Sequence, residues 1–179
     1  MNTYILTTER LGLRRWLETD IGPFIHMNMD KDVMKYFPKM LSPKETKESF
    51  KRINFHFDKY QYGLFAVEDK LTGGFMGFTG FNNPAFDCFF TPCVEIGWRY
   101  AKEFWGRGYA TEAAGACLAY GFNILKLEKI VSFTSAINLK SENIMKKIGM
   151  KYVTDFEHPL IKKRNILCKH VLYQINSDK

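Results

Sequence analysis

A chain of 179 residues, 46% hydrophobic and 25% charged, has the length of one domain and the composition of a globular rather than a disordered protein. No run approaches the ~18 apolar residues of a membrane span, and the opening MNTYILTTERLGLRR lacks the basic-then-apolar order of a secretory signal. A cytoplasmic protein with no membrane role is therefore expected. The 26 basic and 19 acidic residues leave a net charge of +7, which favours anionic partners without choosing among phosphates, acidic proteins and nucleic acid.

In chain order, residues 3–7 and 10–16 read as a bent N-terminal strand region, where Ile5, Leu6, Leu11, Leu13 and Trp16 alternate loosely with polar residues. A helix is expected after Asp20. Ser42, Pro43 and Glu45 combine an N-cap hydroxyl, a proline at the first helical position and a capping-box carboxylate. Thr46, Phe50, Ile53 and Phe57 then recur at helical spacing. Residues 62–68 and 75–81 are β-rich and flank a Gly-Gly turn, which predicts an antiparallel hairpin. A loop over 82–92 carries Phe86, Phe89 and Phe90.

Residues 93–100 form the next predicted strand, with Gly97 interrupting it where a bulge or a close approach to another chain is expected. From Ala110, the spacing of Ala113, Ala114, Cys117, Leu118 and Leu125 predicts a closely packing helix that ends near Ile124. A strand over 129–135, a short helix over 141–148 stopped by Gly149, and strands over 151–156 and 170–175 around a basic loop complete a mixed α and β order. No repeat or linker divides it, so residues 1–179 read as one domain. Cys88, Cys93, Cys117 and Cys168 contain no C-x-x-C pair, which suits buried thiols in a reducing compartment and gives no reason to expect zinc.

The segment EFWGRGYATEA, residues 103–113, places Gly106, Arg107 and Gly108 directly ahead of a predicted helix. Bare backbone at a helix start exposes several N–H groups to an anion, and the helix dipole adds about half a positive charge there. Side chains at Gly106 and Gly108 would block a phosphate from those amides, while Arg107 places a cation beside it. On glycine content alone an ordinary tight turn before a buried helix is the better explanation, and only the context favours an anion site. A P-loop is excluded, because Tyr109 and Ala110 stand where Lys and Ser or Thr are required. A dinucleotide fingerprint fits poorly, because Glu128 precedes the next strand instead of ending it.

The motifs Val94–Trp98 (VEIGW), 105–113 (WGRGYATEA), 138–141 (NLKS) and 147–150 (KIGM), together with the opening Thr8–Arg14 (TERLGLR), resemble the GNAT N-acetyltransferase superfamily over nearly the whole chain. Within it the chain is similar to the branch that includes the ribosomal-protein N-terminal acetyltransferases. The resemblance implies an α/β (α+β) GNAT fold: a mixed, mostly antiparallel sheet, splayed at the signature strands and flanked by helices on both faces. It implies acetyl-CoA as acetyl donor, no metal, and an amine acceptor that is either a protein N-terminus, a ribosomal protein among them, or a small molecule. It places pantetheine along Gly97, Trp98, Arg99 and Tyr100, and the pyrophosphate among Gly106, Arg107, Gly108, Tyr109, Ala110 and Thr111. Two departures stand out. Trp105 replaces the usual Gln or Arg at the start of the glycine signature, and Met145 occupies the position of a tyrosine acid found in many relatives.

Acetyl transfer requires a neutral amine, a polarised thioester carbonyl and a protonated leaving thiolate. Glu95 is the candidate base, either directly or through water, with a structural ion pair as the competing reading. With the tyrosine absent, Asn138 is expected to contact the coenzyme and Ser141 to reach the thiolate, while helix capping explains both equally. His26 and His56 read as structural; His158 and His170 flank a basic loop that reads as solvated. The competing classes are a basic nucleic-acid- or ribosome-associated module and a non-catalytic acyl-CoA-binding protein. Direct nucleic-acid binding is disfavoured, because the basic residues do not interleave with Phe86, Phe89 and Phe90. A monomer and a homodimer are equally compatible with the sequence.

Overall fold

The computed structural model describes residues 4–177; the expected strand position at Thr3 lies outside them. Among the described residues, apart from two 3-10 turns at Glu18–Asp20 and Lys102–Phe104, the α-helices and strands follow in the order β1 (Leu6–Thr7), β2 (Leu11–Arg14), α1 (Ile21–Met29), α2 (Pro43–Tyr60), β3 (Leu64–Asp69), β4 (Phe75–Asn82), β5 (Glu95–Tyr100), α3 (Tyr109–Asn123), β6 (Lys129–Ser135), α4 (Leu139–Lys147), β7 (Lys151–Glu157) and β8 (Lys169–Asn176). The N-terminal strand region is two short antiparallel strands, with Leu6 opposite Leu13. The predicted α2 start is realised in full: Ser42 accepts from the Glu45 amide and the Glu45 carboxylate accepts from the Ser42 amide. The predicted hairpin is β3 against β4, with a register shift at Val67/Glu68.

All eight strands form one sheet in the order β1-β2-β3-β4-β5-β6-β8-β7, antiparallel except at the β5–β6 junction. Side chains alternate across it and helices cover both faces. Phe65, Thr79, Ile96 and Tyr100 point toward α3, where Ala113, Ala114 and Cys117 are fully buried and let the helix lie close. On the opposite face Phe78 joins an aromatic cluster with Trp16, Phe24 and Phe50, which seats α1 and α2. This arrangement matches the fold expected from the sequence.

Beneath α1, Arg14 is the hub of a buried ionic network. Its Nη1 and Nη2 bond Asp20 at 2.7 and 2.9 Å, and its Nε bonds Glu68 at 2.7 Å. The three side chains are at most 5% exposed. A planar guanidinium is suited to this bridging, and the network ties β2 to β3 and to the turn that opens α1. Arg14→Leu leaves two buried carboxylates facing each other and is expected to destabilise the fold by about 3–5 kcal/mol. Urea unfolding checks this, and a cost below about 1 kcal/mol would show that the network contributes little.

Candidate active site

β5 and β6 run parallel and share a single paired position, Glu95 with Val131. The Val131 amide donates to Val94 O and Ser132 Oγ donates to Ile96 O, both at 2.9 Å. Past that point the strands part: β5 stays on β4 to Tyr100, and β6 stays on β8 to Ser135. Backbone groups alternate sides along a strand, so the edge that carries Val94 O and Ile96 O also carries the N–H and C=O of Trp98, which face the opening. Tyr100 O, next on that edge, is taken by Trp105 Nε1 at 2.9 Å. The bulge expected at Gly97 is absent. Gly97 pairs in regular register with Gly80, and the irregularity lies on the β6 side.

The loop after β5 delivers Gly106 and Gly108 with φ of 75° and 82°, both in the left-handed region that favours glycine. Packing does not require them. A Cβ on Gly106 would meet nothing within 4 Å, and one on Gly108 only Arg10 Nη2 at 3.5 Å. Gly108 is the N-cap of α3 without a side-chain cap, and among the described residues the amides from Gly106 to Thr111 have no protein acceptor. Unclaimed N–H groups over open space at a helix start form the donor set that a pyrophosphate needs. Arg107 is exposed beside them. Glu112, one turn in, is held by the β1–β2 turn: it accepts from Thr8 Oγ1, from the Arg10 amide at 3.1 Å and from Arg10 Nε at 2.7 Å. The Arg10 guanidinium also lies 4.4 Å from the Tyr109 ring centre.

Glu95 begins β5 at the point where the strands divide. Burial pushes its carboxyl up to about 7, opposed by an Asn82 amide donor at 3.5 Å, the outer limit of a hydrogen bond. Part of the residue remains exposed, so solvent tempers the rise. No Lys or Arg pairs with it among the described residues, which removes the structural ion pair as an explanation for this carboxylate. On the β6 side, Asn138 is the N-cap of α4: its Oδ1 accepts from the Ser141 amide at 3.4 Å and its Nδ2 donates to Thr134 Oγ1 at 3.0 Å. The capping therefore belongs to Asn138. The helix starts two residues earlier than the expected Ser141, which becomes its third residue with no bond to its hydroxyl among the described residues. Met145, one turn further on, is fully buried core.

Against known proteins, residues 10–151 match the family described as acetyltransferase (GNAT) domain. The chain belongs to this family. It is 34% identical to the uncharacterized protein YkkB of Bacillus subtilis over 148 residues, which cover 82% of this chain and 85% of that protein. It is 31% identical to the uncharacterized N-acetyltransferase YnaD of the same organism, over 82% of both chains. A GNAT-family acetyltransferase from Bacillus anthracis superposes with a TM-score of 0.80 at 28% identity, covering 96% of this chain and 97% of that one. This GNAT protein is thus an acyltransferase that takes acetyl groups from acetyl-CoA and transfers them to an amine.

Other expectations resolve around this centre. His56 is structural, bonding Tyr62 O and Asn83 Oδ1 at 3.0 and 2.9 Å. The basic loop over 162–165 is exposed, as expected, but the histidines that flank it, His158 and His170, are drawn into an aromatic cluster. They stack 4.9 Å apart against Phe133 and Phe156, and burial pushes His170 down to about 4. Phe86 and Phe90 pack into the same cluster rather than presenting open faces for bases. Among the described residues no group of His, Cys, Asp and Glu could hold a metal, and no helix is long and apolar enough to cross a membrane. The sequence reading missed Asn82 and the Thr8/Arg10 clamp. The first is visible only through the β4–β5 register, the second only through a contact across about a hundred residues.

Burial makes folding disfavour an ionised Glu95. The penalty is small near pH 4, where the carboxyl is mostly protonated in both states, and grows as pH rises toward the folded value of about 7. Glu95→Gln is therefore expected to raise stability at pH 8 by an amount on the order of 1–3 kcal/mol and to change it little near pH 4. Urea titrations at the two pH values check this, and a gain that does not depend on pH would show that the carboxylate is well solvated.

Proposed function

We propose that residues 1–179 act as one cytoplasmic GNAT domain that acetylates a primary amine, on a protein N-terminus or a small molecule, by direct transfer in a ternary complex. The observation that carries this reading is a single continuous path. Glu95 stands at the division of β5 and β6, the bare Trp98 edge follows it, and the free amides of residues 106–111 lie at its far end.

Along that path the amides from Gly106 to Thr111, the Thr111 hydroxyl and the Arg107 cation would hold the pyrophosphate. Within the stretch from Gly97 to Tyr100 the Trp98 N–H and C=O, which face the opening, would pair with pantetheine, while the Gly97 and Arg99 backbone stays on β4. Asn138 spends Oδ1 on the cap and one amide hydrogen on Thr134, which leaves one hydrogen for the coenzyme. Acetyl-CoA supplies the thioester carbonyl as the donor substrate. Glu95 accepts a proton from the amine as its nitrogen forms the new C–N bond, and a carboxyl near 7 is matched to that task at neutral pH. Ser141 gives its hydroxyl proton to the sulfur as the C–S bond breaks and recovers one from solvent. The unpaired thiols at Cys88, Cys93, Cys117 and Cys168 support a reducing setting. Trp105 departs from the wider family's Gln or Arg but is often found in the branch of the ribosomal-protein N-terminal acetyltransferases, which supports placement near it.

Thiol release from acetyl-CoA, followed across peptides and small amines, tests the activity. Glu95→Gln is expected to keep coenzyme affinity and lower turnover by roughly 10²–10⁴-fold, with the defect easing at high pH where the amine arrives neutral. Ser141→Ala should slow the single-turnover rate without lowering the melting temperature, because the cap is Asn138. Wild-type rates in both variants would leave backbone positioning as the whole mechanism.

Coenzyme placement has its own test. Wild type should bind acetyl-CoA more tightly than acetyl-pantetheine, which lacks the pyrophosphate. Gly108→Val, strained at φ 82° and bulky beside the amides, should erase that preference while circular dichroism stays native. A preference that survives the substitution would locate the pyrophosphate elsewhere.

A further inference from the structure

Glu95, Gly97 and Arg99 alternate on one face of β5, the face turned toward α1 and away from α3. Gly97 forms an open floor between the other two: a Cβ there would meet only Glu95 Oε1, at 3.9 Å. Arg99 closes the far end. Its Nη1 donates to Asn28 Oδ1 at 2.6 Å, and the guanidinium stacks 4.0 Å from the Phe37 ring centre and 5.3 Å from that of Phe78. Among the described residues it has no carboxylate partner. Nε is buried with no acceptor, and Nη2 makes no hydrogen bond either. Burial without a counter-charge pulls this guanidinium down to about 10, the signature of a cation short of its anion.

Asn28 and the two rings therefore fix the guanidinium plane while leaving its Nε/Nη2 edge unclaimed, and that edge is the fork which matches a carboxylate with two parallel hydrogen bonds. We propose that the acetyl acceptor is an amine that also carries a carboxylate, with the amine at Glu95, the chain over Gly97 and the carboxylate on Arg99. This rests on the acetyltransferase reading and narrows it to one substrate class. Four residues of strand separate the two ends, about 13 Å between Cα atoms. Less the reach of the two side chains, that gap calls for an amine-to-carboxylate separation longer than an α-amino acid provides. Phe37, which stacks on the guanidinium, belongs to an irregular segment between α1 and α2.

The test uses the full chain saturated with coenzyme A and a series of ω-amino carboxylates from glycine to 6-aminohexanoate, each beside its primary amide. Peptides with Glu or Gln at the second residue, and spermidine, complete the set. Calorimetry should show one of the longer carboxylates binding at least 10-fold more tightly than its amide. Arg99→Gln should erase that ratio and leave coenzyme affinity unchanged, and Arg99→Lys should restore part of it. Gly97→Ala, which meets no atom closer than 3.9 Å, should keep the melting temperature and weaken the same carboxylates. A better response from the free carboxylates identifies a small-molecule acceptor, and one from the Glu peptides an acidic N-terminus. Equal affinity for acids and amides, preference for spermidine, or an Arg99→Gln defect confined to the coenzyme would overturn the proposal. Carboxylate binding with no acetyl transfer would instead defeat the acetyltransferase reading and leave the anion site standing.

Discussion

The parting of β5 and β6 is the constraint on which the site depends. A broken ladder exposes backbone groups, and each one left unsatisfied and buried costs about 1–3 kcal/mol. This fold confines that cost to a short edge. Ser132 Oγ caps Ile96 O and Trp105 Nε1 caps Tyr100 O, so among the described residues the Trp98 peptide groups and the Tyr100 N–H are what remain open between them. The unusual Trp105 thus has a definite local role: its indole replaces a strand as hydrogen-bond donor and anchors the loop that carries the glycines. Full antiparallel ladders on the outer sides of both strands hold them apart without help from the opening itself.

A second constraint keeps the helix start usable. An acidic residue in the first turn of α3 suits the helix dipole but would repel an anion bound at the same amides. Arg10 resolves the conflict. It neutralises Glu112, stacks on Tyr109 and also donates to Arg107 O at 3.0 Å, so that one side chain from the β1–β2 turn fixes the orientation of the whole glycine segment. The opening TERLGLR motif is consequently structural at both ends. Thr8 and Arg10 hold α3, while Arg14 bridges Asp20 and Glu68.

Local patterns were legible and distant partnerships were not. The α2 capping box, the β3–β4 hairpin and the glycine turn are written in contiguous residues, and each lies where the sequence places it. The start of α4 was misplaced because Asn138 and Ser141 are both competent caps, and only the three-dimensional turn decides between them. The aromatic packing of His158 and His170 was not legible, because the phenylalanines that cover them lie on β6, β7 and the 82–92 loop. Gly97 drew attention as an interruption, yet its contribution is space rather than a bulge. That distinction depends on what surrounds the missing side chain.

The alternation of a single strand explains how the protein tolerates two desolvated ionisable groups. Ile96 and Tyr100 on one face are fully committed to the core, and this anchors β5 independently of the groups opposite them. Glu95 and Arg99 are then free to be poor contributors to stability. Had they been adjacent, each would have neutralised the other and neither would be available to a ligand. With about 13 Å between their Cα atoms the two side chains form no ion pair, and neither quenches the other. Separation by Gly97 therefore keeps a carboxyl and a guanidinium unpaired on the same face of β5. The stability they forgo is supplied elsewhere, by the aromatic cluster under α1 and α2 and by the small-residue seam of α3.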